Sequence, residues 1–261
     1  MRNYLEFAIE LAHEAGHIML DHFKMGVSAD LKADNSPVTV ADETINRMVI
    51  DRVLDAYPGH GVIGEEGSVE KPDSALQWVC DPIDGTLPYT LGIPTNVFCL
   101  ALVEGGDPVV SVVFDPYMDR MYTAIRDEGA FCNEELISTS DTATLADAVM
   151  NVAGRSVRSA AALGGPIYAD LESLGVRLLD HSSFVYESML VAAGLFDAAI
   201  FTKNTPWDAA AGALLVAEAG GIATDVTGSA QRYDGAISGL IVSNGRIHEE
   251  VRQVVARHLI D

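Results

Sequence analysis

Two carboxylates three residues apart, at the end of an apolar run, are the first chemistry the sequence offers. Trp78-Val79-Cys80 reads as a short buried strand running straight into Asp81-Pro82-Ile83-Asp84-Gly85-Thr86. Pro82 fixes its own φ and removes one donor, and Gly85 permits a tight turn. Asp81 and Asp84 repel one another unless a cation sits between them, so the pair points to a hard-metal site. The turn opens into Thr86, where the free backbone N–H groups of a short helical turn suit a phosphate. A purely structural acidic β-turn gives the same hexapeptide, so the choice rests on what else the chain supplies.

It supplies more acids at element ends. Gly61-Val62-Ile63-Gly64 is a short strand leading into Glu65-Glu66-Gly67, and Asp42 lies in the first turn of a helix. Pro206-Trp207-Asp208 opens another helix. Asp42 at a helix start and Asp208 at a cap also have ordinary structural explanations, through the helix dipole and the cap hydrogen bond. Together, however, Glu65, Asp81, Asp84 and Asp208, with a backbone carbonyl, form the all-oxygen donor set that Mg²⁺ prefers. A competing metal motif, His13-Glu14-Ala15-Gly16-His17, matches the helical zinc-protease signature. Its best-known extension needs Gly and His where this chain has Leu20 and Phe23, so it reads as a solvated helix face.

The elements that must position these residues follow from periodicity. Residues 3–24 read as an amphipathic helix, with Leu5, Ile9, Ala12, Ala15, Met19 and Phe23 at helical spacing. A polar connector with Lys32, Asp34 and Ser36-Pro37 leads to a helix from about 41 to 57, ended by Pro58-Gly59. Segments 95–104, 109–115 and 120–125 read as consecutive antiparallel strands. The second half alternates: strands at 148–153, 176–180, 197–202, 222–226 and 239–243, and helices near 166–174, 183–194, 208–219 and 246–259. There are no repeats or low-complexity linkers. The reading is one domain over 1–261, with sublobes of about 1–146, carrying the metal and catalytic motifs, and 147–261, the substrate side.

Composition bounds the function. Of 261 residues nearly half are hydrophobic and 21% charged, as in a globular chain with a real core. The net charge of −22, from 38 acids against 16 bases, argues against nucleic acid and anionic membrane surfaces as partners. Cys80, Cys99 and Cys132 are odd in number and lack metal spacing, so they read as reduced thiols of a cytoplasmic protein. Arg2, Glu6, Glu10 and His13 make the N-terminus unlike a signal peptide, and no apolar run is long enough to span a bilayer.

In order along the chain, Asp42, Gly64-Glu65-Glu66, Asp81 to Thr86, Trp207-Asp208-Ala209-Ala210-Ala211-Gly212 and Glu218-Ala219-Gly220-Gly221 resemble the pattern of the inositol monophosphatase family. These are lithium-sensitive, Mg²⁺-dependent phosphatases, and the likeness runs from about residue 5 to 258. The resemblance implies an α/β fold, a layered αβαβα sandwich, usually as a homodimer. It implies a first Mg²⁺ held by Glu65, Asp81 and the carbonyl of Ile83, and a second held by Asp81, Asp84 and Asp208. A third, weaker ion would lean on Glu65, with Mn²⁺ a possible substitute and Li⁺ an inhibitor. Asp42 and Thr86 would orient and deprotonate the attacking water, and the Gly85 and Thr86 amides would hold the phosphate of a small-molecule ester. The logic is two-metal hydrolysis.

Three departures touch the polyol end and not the chemistry end. Leu87-Pro88-Tyr89 follow the DGT, and Leu179-Asp180-His181-Ser182-Ser183-Phe184 replace an Arg-x-x-Gly-Ser/Thr-Ala run. Phe201 stands where the family's inositol-gripping acid is found, seven residues before Asp208. Substrate-side candidates are Ser183, Asp208 and Lys203, one of only four lysines. Lys203 either offsets surplus negative charge or binds a second anionic group of the substrate. The leading expectation is a Mg²⁺-dependent phosphomonoesterase for an inositol phosphate or a related sugar or polyol phosphate. The alternatives are a sugar-bisphosphate, histidinol-phosphate or phosphonucleotide phosphatase, or a regulatory binding protein that keeps the fold. A structural Ca²⁺ module lacks any calcium-loop spacing.

Overall fold

The computed structural model describes residues 1–32, 36–71, 74–153 and 163–259. Helix α1 (Arg2–His22) buries Ala8, Leu11, Ala12, Ala15 and Met19 along one stripe, the spacing that makes it amphipathic. It ends two residues before the expected boundary because Phe23 turns to extended backbone. The connector that follows is not structureless: β1 (Asp30–Leu31) pairs antiparallel with β2 (Pro37–Val38). Asp34 lies outside the described residues. Helix α2 (Val40–Ala56) is started by a capping box in which Thr39 and Asp42 satisfy each other's backbone N–H groups.

Strands β3 (Gly61–Gly64) and β4 (Leu76–Asp84) are parallel neighbours, and the short helix α3 (Thr86–Leu91) follows directly. Strands β5 (Val97–Glu104), β6 (Asp107–Asp115) and β7 (Arg120–Ile125) form the antiparallel run expected from the sequence. Two further strands, β8 (Gly129–Cys132) and β9 (Glu135–Leu136), extend the sheet to seven in sequential order. Their two-residue turn, Asn133-Glu134, has both φ values positive, 47° and 69°. A turn of that kind is usually announced by glycine, and Glu134 hides it.

The second sheet has five strands. Strand β10 (Val149–Val152) lies between β11 (Arg177–Leu178) and β12 (Ala198–Phe201), both parallel to it. Beyond β12 the sheet turns antiparallel through β14 (Leu240–Ser243) to β13 (Ile222–Thr224). Its helices are α4 (Gly164–Ser173), α5 (Phe184–Ala192), α6 (Ala210–Glu218) and α7 (His248–Ala256).

Three buried apolar clusters mark the spaces between layers. One lies between α1, α2 and the seven-stranded sheet, built on Leu11, Ile45, Trp78 and Leu100. The second lies where α5 and α6 fill the gap between both sheets, with Val97, Met189, Leu215 and Val242. The third lies under α4 and α7, with Met150, Ile167 and Val251. Helix, sheet, helix, sheet, helix is the αβαβα sandwich. Because α5 and α6 come from the second half of the chain and cover the first sheet, the two halves share a core. Gly212 of α6 lets α5 approach closely, since a Cβ there would meet Ser188 Cβ at 2.7 Å. Cys80 and Cys99 are buried free thiols and Cys132 is half-buried and free. No described helix is long and apolar enough to cross a membrane.

Candidate active site

Strand parity alone would put Asp81 and Asp84 on opposite faces of the sheet, because side chains alternate. The structure brings them to one face with a bulge. Asp81 lies opposite Cys99 and Asp84 opposite Val97, so β4 spends three residues where β5 spends two. Pro82, which has no N–H to give the ladder, lies inside the bulge. Both carboxylates thereby face α5 and α6, while Ile83 packs on the α1–α2 side. Asp208 reaches them from the turn before α6. The helix cap is Ala209 and not Asp208, whose Oδ2 accepts a short hydrogen bond from the Thr205 hydroxyl. Cys99 Sγ donates to the Trp207 carbonyl at 3.4 Å, tying that turn to β5. One carboxylate oxygen each from Asp81, Asp84 and Asp208 lies within 4.8 Å of the others.

Asp84 is also the anion at the start of α5. Its Oδ2 accepts from the Ser183 hydroxyl at 2.6 Å and from the Val185 and Tyr186 amides at 2.7 and 3.2 Å. Its Oδ1 accepts from Phe184 N at 3.2 Å. Orphan N–H groups at a helix N-terminus favour such a carboxylate. This gives Ser183, which also lines the cleft, a structural role beside the substrate-side one expected of it. Its hydroxyl donates to Asp84 and so positions that carboxylate, while its oxygen can still accept.

Asp42 faces the cluster from α2. Its Oδ2 accepts from Thr39 N and Oγ1 at 2.8 and 2.5 Å, the cap bonds. Its Oδ1 faces the Thr86 hydroxyl at 3.3 Å, which also lies 3.2 Å from the Ile83 carbonyl. Gly85, with φ +91°, makes the turn that presents Thr86, and a Cβ there would meet Ser183 Cβ at 2.8 Å. Glu65 is held across from Asp81 by its amide, which donates to the Cys80 carbonyl at 3.2 Å. Lys32 Nζ, from the end of β1, bonds Glu65 Oε1 at 2.7 Å and Glu66 Oε1 at 2.5 Å.

Burial sets the electrostatics. Removal from water is the largest influence on Asp42, whose carboxyl is pushed up to about 6 against the pull of Thr39. Asp84 is pushed up to about 6 by burial, against the Ser183, Tyr186 and Val185 hydrogen bonds. Asp208 rises to about 7 through burial and then the charge of Asp84. Asp81 rises well above the ordinary range through burial, Glu65 and Asp84. Burial pulls the Lys32 ammonium down, but its bonds to Glu65 and Glu66 outweigh that and hold it above its ordinary value. The donor set fits a hard divalent cation. The converging oxygens are charged only at a cost, and a cation would relieve both the desolvation and the mutual repulsion.

The carboxylates line a cleft of about 230 Å³, whose far side carries Ala153, Asp180, Phe184, Glu187, Phe201 and Lys203. Phe201 is buried, and its ring lies 4.7 Å from that of Phe184. That end of the cleft is floored by two aromatic rings. Glu187 accepts from His181 N at 2.8 Å and is pushed up to about 7 by burial. Lys203 is exposed at the mouth and, among the described residues, makes no ion pair with a carboxylate. It is not the only cation there, because Lys32 lines the adjoining cavity with it. Lys32 and Glu187 carry no short-range sequence signal linking them to the site, whereas Glu66 adjoins Glu65 in the acidic end of β3. The His13–His17 motif lies on α1 with both histidines exposed and Glu14 paired with Arg52, away from any metal-competent cluster among the described residues.

Fold and cluster define a layered α/β protein with a cluster of converging carboxylates that could hold a cation. The chain belongs to the inositol monophosphatase family, whose profile matches residues 1–259. It is 33% identical to the fructose-1,6-bisphosphatase/inositol-1-monophosphatase of Thermotoga maritima, over 96% of this chain and 95% of that one. It is also 33% identical to the Nus factor SuhB of Escherichia coli K12, over 87% of each. The solved structure of a Thermotoga maritima IMPase superimposes with a TM-score of 0.88 at 31% identity, covering 98% of this chain and 97% of that one. Family and fold make the protein a phosphatase-type hydrolase.

Proposed function

We propose that the protein hydrolyses a small-molecule phosphate monoester with Mg²⁺ as cofactor. The convergence of Asp81, Asp84 and Asp208 within 4.8 Å is the observation that carries this reading. Glu65, Asp81 and the Ile83 carbonyl would hold one ion, and Asp81, Asp84 and Asp208 a second. When bound, the ions supply charge neutralisation and Lewis acidity at the ester. The chain's own groups then orient and move a proton. Thr86 Oγ1 can accept a proton from the attacking water as it passes its own to Asp42 Oδ1, 3.3 Å away. Asp42, at about 6, is matched to that task near neutrality. The Gly85 and Thr86 amides, at the turn into α3, are the groups we assign to the phosphate oxygens. Phosphate release from a metabolite panel, with Mg²⁺ and with EDTA, tests the proposal. Turnover that persists undiminished in EDTA overturns it.

Thr86→Ala should lower kcat about a hundred-fold with little change in KM, the usual scale of one proton-transfer group. Gly85 and not Thr86 is the N-cap of α3, so the melting temperature should hardly move. Parallel melts and kinetics check both halves.

The far side of the cleft favours a substrate with a second anionic group over a plain polyol. Lys203 acts on Asp208 by charge but forms no ion pair among the described residues, so its ammonium stays open to a substrate anion, and Phe201 offers no acceptor to a ring hydroxyl. A relative named for fructose-1,6-bisphosphate as well as inositol 1-phosphate is consistent with this. Lys203→Ala should raise KM about ten-fold for bisphosphate or carboxylated esters and leave KM for inositol 1-phosphate nearly unchanged, as loss of one charged contact would. An equal effect on all esters sinks the assignment.

A further inference from the structure

We propose that Glu187 selects the alcohol part of the substrate, its Oε2 accepting a hydrogen bond from a hydroxyl borne next to the ester carbon. The inference rests on the reading of the cleft as the place of ester hydrolysis. It narrows the substrate class to esters of a hydroxylated skeleton, a sugar or polyol.

Glu187 lines the cleft, yet its side chain is only 1% exposed. A carboxyl taken so far from water is costly unless its oxygens find partners. Here the partners are one-sided. The His181 amide donates to Oε1 at 2.8 Å, and His181 Nδ1 stands 3.4 Å from that same oxygen. Among the described residues Oε2 has no hydrogen-bond partner. The loop that presents the His181 amide is tied down on both sides. Asp180 Oδ1 accepts from Ser182 N at 2.8 Å, and the His181 carbonyl accepts from Thr95 Oγ1 at 3.3 Å. Ser182 holds φ at 57°, a left-handed turn that a residue with a side chain adopts at a cost. Oε1 is therefore committed to a fixed donor, and Oε2 is the oxygen left for a ligand. The Phe184 and Phe201 rings floor this end of the cleft, so a hydrogen bond to Glu187 meets little competition from water. Burial pushes the Glu187 carboxyl up to about 7, so near neutrality both its forms are present, and each keeps an oxygen that accepts from a hydroxyl. Its charge also raises Asp84, which places it beside the reacting end of the cleft. Lys203 lines the same cleft and can meet a second anion on the same skeleton.

Glycerol 2-phosphate and isopropyl phosphate test this, because they differ only in the hydroxyls on the carbons next to the ester carbon. With Mg²⁺, wild-type kcat/KM should favour glycerol 2-phosphate by about ten-fold or more, the scale of one hydrogen bond to a carboxylate. Glu187→Ala should cut that preference about ten-fold, by removing the acceptor outright. Glu187→Gln keeps an acceptor of the same reach and should cut it about three-fold. The preference is a ratio measured within one protein, so an unfolded fraction cancels from it. Should Glu187→Ala fail to fold, Glu187→Gln alone decides. A wild type without the preference overturns the proposal, as does a preference that the variants leave unchanged. Glu187 would then serve only to hold the His181 loop. Absence of Mg²⁺-dependent phosphate release from these esters and from the metabolite panel alike would overturn the hydrolytic reading itself, and the proposal with it, a result distinct from a missing preference.

Discussion

Asp81→Asn and Asp208→Asn should each lower kcat by roughly a thousand-fold at saturating Mg²⁺, about 4 kcal/mol of lost transition-state stabilisation. Each change removes one charged oxygen donor from a set whose oxygens converge within 4.8 Å. The protein should stay folded. Among the described residues Asp208 accepts one side-chain hydrogen bond, from Thr205, and an amide oxygen can still accept it. Asp84→Asn is the poorer test, because Asp84 receives four hydrogen bonds from the start of α5. An asparagine has one carbonyl oxygen to accept with, and its NH₂ would face the donors left over. Activity loss there would mix chemistry with disorder of α5. Initial rates for the two cleaner variants across a Mg²⁺ series decide the matter, and near wild-type turnover in either one removes that residue from the ligand set.

The acids at Glu65, Asp81 and Asp84 were legible because each sits where an apolar run ends, and Asp208 because it stands at the start of a helix, and sequence marks such ends well. What the sequence does not carry is the bulge. Asp81 and Asp84 have the wrong parity to share a face, and only the pairing with Cys99 and Val97 shows that an extra residue corrects it. The roles of Ser183 and Lys32 were hidden for a different reason. Their partners lie 99 and 33 residues away, so no local pattern connects them. Lys32 depended on a two-residue strand pair that reads as a polar connector, since so short a hairpin has no periodicity. The α5–α6 layer, by contrast, follows from small and apolar residues at helical spacing. Its placement between both sheets settles why the Phe184 and Phe201 rings meet under the cleft.

The acids that would hold the cation should also make the metal-free protein less stable as pH rises. In the folded chain Asp42 and Asp84 are raised to about 6 and Asp208 to about 7, each chiefly by burial. Unfolded, these groups titrate near 3.9. Between those values the folded state binds more protons than the unfolded one, so the slope of stability against pH is negative. The cost is absent below pH of about 4, grows through 6 to 7, and is complete above that. At about 1.4 kcal/mol per pKa unit per group, the total between pH 5 and 8 is several kcal/mol, enough to matter in a protein of ordinary stability. Melting in EDTA should therefore give a lower Tm at pH 8 than at pH 5. Mg²⁺ should raise Tm at both, and more at pH 8, because the carboxylates bind it only when charged. General repulsion from a net charge of −22 has the same sign, so Na⁺ at matched ionic strength serves as the control. Asp208→Asn separates the two: without the carboxyl at about 7, the metal-free variant should outlast the wild type at pH 8 though it has lost its activity. A wild-type Tm in EDTA that climbs from pH 5 to 8, or an Asp208→Asn variant no more stable than wild type at pH 8, would show that the cluster is not the source of the strain.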